Sequence, residues 1–171
     1  IDFLKRKNRW PNPKDEFSKA GAITISGLIP GFVPYHESNR SEFERLGHGN
    51  KVDLIVSPDV TVYPMDEYLR RLKGAGRLRL MPSKLDGLTH YWDNYGGSDE
   101  AQGSDVYLNE GGSHYFMLRC DRVVAPSPGC HVTKVRSDDL QISYTFSSSH
   151  LASWADIDRD VNQRIDGFKV E

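Results

Sequence analysis

Cys120 and Cys130 are the only two cysteines of the chain, and they flank a short turn containing Ala-Pro-Ser-Pro-Gly. Thiols at the two ends of a hairpin suit one covalent bond, because strand pairing brings their alpha carbons within bridging range. Two unrelated buried thiols are the competing reading. On the chain-entropy account, closing so short a loop stabilises the fold by roughly 3 kcal/mol. A structural disulfide implies an oxidising compartment, periplasmic or otherwise extracytoplasmic. Neither cysteine belongs to a two-residue-spaced pair, which argues against a zinc site.

The other reactive residues miss the spacings that their chemistry requires. Histidines stand at 36, 48, 90, 114, 131 and 150, with no two at a helical metal spacing. His36-Glu37 begins like a zinc-peptidase motif, but Arg40 replaces the second histidine. Asp156-Ile-Asp-Arg-Asp160 opens like a calcium loop, then places Val161 where glycine is needed and Gly167 where glutamate is needed. On a helix, Asp156 and Asp160 share a solvent face, with Arg164 placed to pair with Asp160. Asp93, Asp99, Glu100 and Asp105 invite a second calcium reading, although no spacing among them specifies a cage. There is no Gly-x-Ser-x-Gly elbow and no phosphate-cradling glycine loop. A triad of scattered residues stays open, since triads are defined by geometry. The chain therefore reads as a binding protein and not an enzyme, with no cofactor and no metal.

A binding protein needs a contact surface, and residues 91–100 are the candidate. Tyr91, Trp92, Asp93, Tyr95, Asp99 and Glu100 combine aromatics with carboxylates. Tyr and Trp supply large contact area at low entropy cost, and carboxylates steer toward a basic cleft. The competing reading makes Trp92 core at a strand end and leaves the acidic loop solvated. Residues 93–110 hold five acidic side chains and no Lys or Arg, whereas 70–84 hold six basic and no acidic ones.

Strands and one long helix must position these residues. Alternating or short apolar runs predict strands at 22–27, 52–56, 60–63, 77–80, 105–108, 131–136 and 140–146, with one ending at 90–92 and another entering Cys120. The arginines of 77–80 are expected to face away from the core. Residues 41–46 suit a turn or two of helix, and Pro64 opens a helix to about Lys73. Trp154, Ile157, Val161, Ile165 and Phe168 form one apolar stripe, with Ser153 and Asp156 as a capping box and Gly167 as the stop. The predicted fold is α+β: a mainly antiparallel sheet, an amphipathic C-terminal helix on one face, and a disulfide-clasped hairpin.

At 171 residues and 37% hydrophobic, one domain spanning 1–171 is expected. Residues 1–20, with six Lys/Arg against three Asp/Glu, read as an irregular basic lead-in. The net charge of −2, pI near 6.3 and mean hydropathy of −0.58 argue against nucleic acid as a partner and against a transmembrane segment. The chain starts at Ile1, so a removed signal peptide or a lipid anchor stays open.

The C-terminal third, His114 to Phe168, resembles the tail of small secreted or lipoprotein-type proteins of proteobacteria. The resemblance rests on Cys120, Cys130, Leu151, Trp154, Ile157 and Phe168: a cysteine-bounded hairpin, a strand, then a Leu-x-x-Trp-x-x-Ile helix ending in Phe. Some such proteins are similar to immunity proteins that neutralise a toxin delivered by a contact-dependent secretion system. That implies a periplasmic protein whose partner is a cognate effector enzyme, a lipase or a cell-wall enzyme, with its active site occluded on binding. A small-ligand or envelope-component binding module is the alternative, and an uncatalogued hydrolase the third.

Overall fold

The computed structural model describes residues 21–58, 64–95, 103–112, 114–122, 127–136 and 140–168. The basic lead-in, the expected strand at 60–63, and Asp99 and Glu100 lie outside them. Eight strands are present among the described residues: β1 Ile23–Leu28, β2 Lys51–Ser57, β3 Leu78–Met81, β4 Thr89–Asp93, β5 Ser104–Leu108, β6 Phe116–Asp121, β7 Gly129–Val135 and β8 Gln141–Ser147. The helices are α1 Arg40–Glu44, α2 Met65–Gly74 and α3 Trp154–Asp166. All eight strands join one antiparallel sheet in the order β1-β2-β8-β7-β6-β5-β4-β3. Six consecutive strands form a meander, and the β2–β3 connection spans the sheet, carrying α2.

Residues opposite one another in such a ladder point to the same face. One row therefore reads Ile25, Leu54, Tyr144, Val132, Leu118, Tyr107, His90, Met81. This face is apolar nearly throughout, and Ile157, Val161 and Ile165 of α3 complete its core. The next row, on the other face, reads Ser26, Asp53, Thr145, His131, Arg119, Val106, Tyr91, Leu80. It is polar over β1, β2, β8 and β7 and turns apolar only toward β3. There, Tyr91, Val106 and Leu108 pack with Met65 and Leu69 of α2. Each face thus takes one helix, where its residues are apolar enough to bury one.

The disulfide is present. Cys120 and Cys130 are directly opposed in the β6–β7 ladder with alpha carbons 4.0 Å apart, and both are buried beneath α3. Under the same helix, Lys134 Nζ donates to Asp158 Oδ1 and Asn162 Oδ1, and the Tyr144 hydroxyl donates to Asp158 Oδ1. This polar group docks the helix on the sheet. Burial pulls the Lys134 ammonium down, although Asp158 opposes the shift.

The ends of α3 differ from the expected pattern. Ser153 makes no side-chain cap bond; a 3-10 turn, Ser148–Ser153, leads in, and Ser147 accepts from the Ser149 N–H instead. Asp160 accepts the Gly31 N–H at 2.7 Å, Asp156 pairs with Arg159, and Arg164 lies over the Phe168 ring. Phe168 follows the last helical turn and is exposed, because the chain has already left the stripe it would have continued.

Candidate functional site

The corner where β4 ends is the most heavily bonded polar region among the described residues. Alternation along β4 sends Tyr91 and Asp93 to the α2 face and His90 and Trp92 to the other. Asp93 is fully buried. Arg77 grips it with both ends of its fork, Nε to Oδ1 at 3.0 Å and Nη2 to Oδ2 at 2.8 Å. Arg119 Nη2 donates to Oδ2 at 2.8 Å, and the Tyr95 N–H donates to Oδ1 at 3.1 Å. Two guanidinium groups thus share one carboxylate, leaving the cluster positive.

Tyr95 closes this arrangement from outside. Its φ of +49° lies in the left-handed region, an unfavoured place for a bulky side chain. The bend sets its ring 5.1 Å from the Arg77 guanidinium and 5.0 Å from that of Arg119. Both separations suit attraction between a cation and a ring face. The Tyr95 hydroxyl bonds Ser104 Oγ at 3.0 Å, and Ser104 Oγ donates to Asp121. Nearly half of the Tyr95 side chain stays exposed, at 48%.

The other described residues of the predicted contact patch, Tyr91, Trp92 and Asp93, lie inside. Tyr91 and Trp92 are each 6% exposed. Lys73 sits 5.0 Å over the Tyr91 ring, and burial, with Glu110 beside it, raises the Tyr91 hydroxyl above its ordinary range. Arg79 lies 4.8 Å over the Trp92 ring. Trp92 Nε1 presses on the backbone at Gly103, where an added Cβ would come within 2.3 Å. Tyr91, Trp92 and Asp93 are therefore frame residues, and only Tyr95 of the described four presents surface. The physical reason is the ladder: β4 is an interior strand, flanked by β3 and β5, with a layer against each face.

A second ionic group occupies the opposite face. Arg122 grips Asp105 through Nε at 2.8 Å and Nη2 at 2.5 Å, and His90 Nε2 lies 2.8 Å from Oδ1. Burial opposes ionisation of Asp105, but Arg122 and His90 together hold its carboxyl below the usual range. His90 Nδ1 faces the Pro82 carbonyl at 3.0 Å, so neither ring nitrogen is turned toward a nucleophile. Asp93 and Asp105 point to opposite faces and are each held by arginine, which removes them from a shared calcium cage. No three His, Cys, Asp or Glu among the described residues are grouped to hold a metal.

Sequence reasoning missed Arg77 and Arg119 as the partners of Asp93. Arg77 was expected to face away from the core, yet it precedes β3 and turns inward to the buried carboxylate. Arg119 carried a signal: it stands in Phe-Met-Leu-Arg-Cys, a charge within an apolar strand, and such a charge needs a partner. Clefts also lie among the described residues. One of about 200 Å³ is lined by His48, Asp121, Ser127, Gly129, His131 and Thr145. Another of about 300 Å³ lies between Ile29, Pro30, Asn50, His150, Asp156 and Asp160. Both are partly open to solvent. No described helix is long and apolar enough to cross a membrane.

A broad antiparallel sheet with one helix on each face, a disulfide-clasped hairpin and ion clusters that hold strands together define an α+β fold. Solved structures show the same fold. An immunity protein of the Stenotrophomonas maltophilia type IV secretion system, Smlt3025, aligns with a TM-score of 0.64 at 17% identity, over 96% of this chain and 86% of that one. The Neisseria meningitidis iron-regulated outer membrane lipoprotein FrpD aligns with a TM-score of 0.55 at 18% identity, over 80% of this chain and 66% of that one. At these identities the likeness is one of fold. No family model and no curated protein sequence matches the chain.

Proposed function

We propose that this protein is an extracytoplasmic immunity-type binder that docks on a cognate secreted effector enzyme and occludes its active site. The observation that carries the reading is the agreement in fold with a secretion-system immunity protein over 96% of this chain. The disulfide supports an oxidising compartment. The His90–Asp105 pair is held by Arg122 and Pro82 in a structural role, which supports binding over catalysis. In this reading Tyr95 and the acidic residues Asp99 and Glu100 contact the effector, a lipase or a cell-wall enzyme, while Tyr91, Trp92 and Asp93 hold the corner in shape.

The test is capture of the effector from native lysate, followed by assay of its enzymatic activity with increasing amounts of the pure protein. Stoichiometric inhibition is the expected result. A tight complex that leaves the enzyme fully active would overturn the occlusion step. A small-ligand or envelope-component module is the second reading, favoured by the two open clefts and by the likeness to an outer membrane lipoprotein. Thermal stabilisation by an envelope saccharide or lipid headgroup, without any protein partner, would move the assignment there.

A further inference from the structure

Among the described residues β3 ends the sheet on its side, and the ladder beside it defines the free edge. The Asn94 N–H donates to the Arg77 carbonyl at 3.1 Å, and these two residues are opposed in the register that pairs Leu78 with Asp93. Bonded and non-bonded pairs alternate along an antiparallel ladder. Arg79 and Met81 therefore bond inward to β4, while Leu78 and Leu80 turn their N–H and C=O groups outward. The opposite edge is partly closed, since Leu28 and Val33 exchange both backbone bonds at 2.8 and 2.7 Å. Among the described residues nothing closes β3 in this way.

Two side-chain features accompany the open backbone. Leu80 is 66% exposed, a large apolar side chain beside unpaired donors, while Leu78 packs against the α2 cluster. Residues 70–84, which run from α2 through this strand, hold six basic and no acidic side chains. A four-residue strand flanked by positive charge is a common protection against edge pairing. That protection leaves the exposure of Leu80 without a reason.

The geometry points to β3 as the docking edge for an extended acidic–apolar segment of a partner protein, which adds as a ninth strand. The inference rests on the partner-binding reading above and names its surface. Main-chain bonds to Leu78 and Leu80 supply the attachment, Leu80 packs an apolar side chain, and carboxylates meet the basic stretch. A second copy is the poorer occupant. The two-fold register that uses both outward residues pairs Leu78 with Leu80 of the partner subunit. It sets Arg79 directly against Arg79 of the partner subunit, and like charges so placed repel. Shifting the register brings Pro82, which lacks an N–H, or Gly76, at a φ of +66°, into the ladder.

The probe is a fluorescein-labelled peptide, Ser-Val-Glu-Val-Glu-Val-Ser, compared with its lysine counterpart and with a version N-methylated along one edge. Leu80→Pro removes an outward N–H together with the exposed leucine side chain and spares the inward bonds of the β3–β4 ladder; Pro is tolerated at such edge positions. The acidic peptide is expected to bind and to slow amide exchange at Leu78 and Leu80. Binding should weaken at least tenfold with Leu80→Pro or with the N-methylated peptide, the latter leaving the protein unaltered. Absence of binding, or equal binding of the lysine peptide, overturns the inference. So does a concentration-dependent dimer that Leu80→Pro abolishes, which would assign the edge to a second copy. If wild type and Leu80→Pro inhibit the effector equally, the edge assignment falls and the neutralising role stands. If no effector is inhibited but the acidic peptide binds through Leu80, the role falls and the edge stands.

Discussion

Asp93→Asn separates a structural carboxylate from a contact residue. The substitution keeps the shape of the side chain and removes its charge. In the native corner, two guanidinium groups and the Tyr95 N–H all donate to the two carboxylate oxygens. An amide offers one oxygen to these donors and turns an NH₂ toward the rest, so at least one buried guanidinium N–H loses its acceptor. Breaking a buried ion pair by removing one partner costs about 3–5 kcal/mol. Arg77 and Arg119 keep 29% and 26% of their side-chain surface, so water offsets part of the loss. The lower end, about 3 kcal/mol, is therefore expected. For a domain of this size that corresponds to a melting temperature lower by about 6–12 °C.

Urea unfolding followed by tryptophan fluorescence measures this directly, and calorimetry gives the melting temperature. Adding Arg119→Met should recover part of the loss, because it removes one cation left without its acceptor. Two results would refute the reasoning. One is Asp93→Asn melting within about 1 °C of wild type, well under the shift expected for a buried pair. The other is weaker partner binding at unchanged stability, which would return Asp93 to the contact surface.

Replacing both Cys120 and Cys130 by Ser should lower unfolding stability by about 3 kcal/mol, and mass analysis of the unreduced native protein should find no alkylatable thiol. Neutralising Asp99 and Glu100 together should slow association with a basic effector cleft, with a smaller salt dependence and an unchanged melting temperature; binding kinetics at two ionic strengths decide it. Burial pushes the Tyr115 hydroxyl up to about 12 from its ordinary value of 10.0. The folded state then keeps a proton that the unfolded chain releases, so this contribution is whole below pH 10.0 and is lost as pH rises toward about 12. Tyr115→Phe should flatten that alkaline limb in a stability profile, and an unchanged slope would contradict the assignment.

Most of the scaffold was legible because its signals are local. The apolar stripe of α3 survives as Ile157, Val161 and Ile165, and the two cysteines sit where a hairpin register opposes them. The short runs around 22–27, 52–56, 105–108 and 140–146 became strands because each alternates or carries β-branched residues. The corner at β4 was not legible for a different reason. Whether Tyr91 and Trp92 present surface depends on whether β4 is an edge, and strand order is a non-local property. The charge pattern suggested acidic and basic segments kept apart in the chain. In the fold, Arg77 just before β3 and Arg119 of β6 meet Asp93 of β4, across a span of four strands. A sequence reader sees opposite charges 16 and 26 residues apart, with nothing local to join them.

The same non-locality decides where a partner has room to bind. One face of the sheet is closed by α3, and the other is closed by α2 only across its β3–β6 end. The open half presents the short polar side chains of Thr24, Ser26, Asp53, Ser143 and Thr145, with Ile55, 45% exposed, as a large apolar residue among them. Affinity at a protein interface comes from a few well-packed anchors more than from extent. The open half has breadth, with Ile55 set among short polar side chains. The β3 end offers the exposed side chains of Leu80 and Tyr95, open backbone groups on β3, and two arginines gathered on Asp93. Rigidity there is supplied by the Asp93 clasp, so a partner meeting this end pays little ordering entropy. A carboxylate that looked like a contact residue thus serves to fix the residues beside it, Arg77, Arg119 and Tyr95.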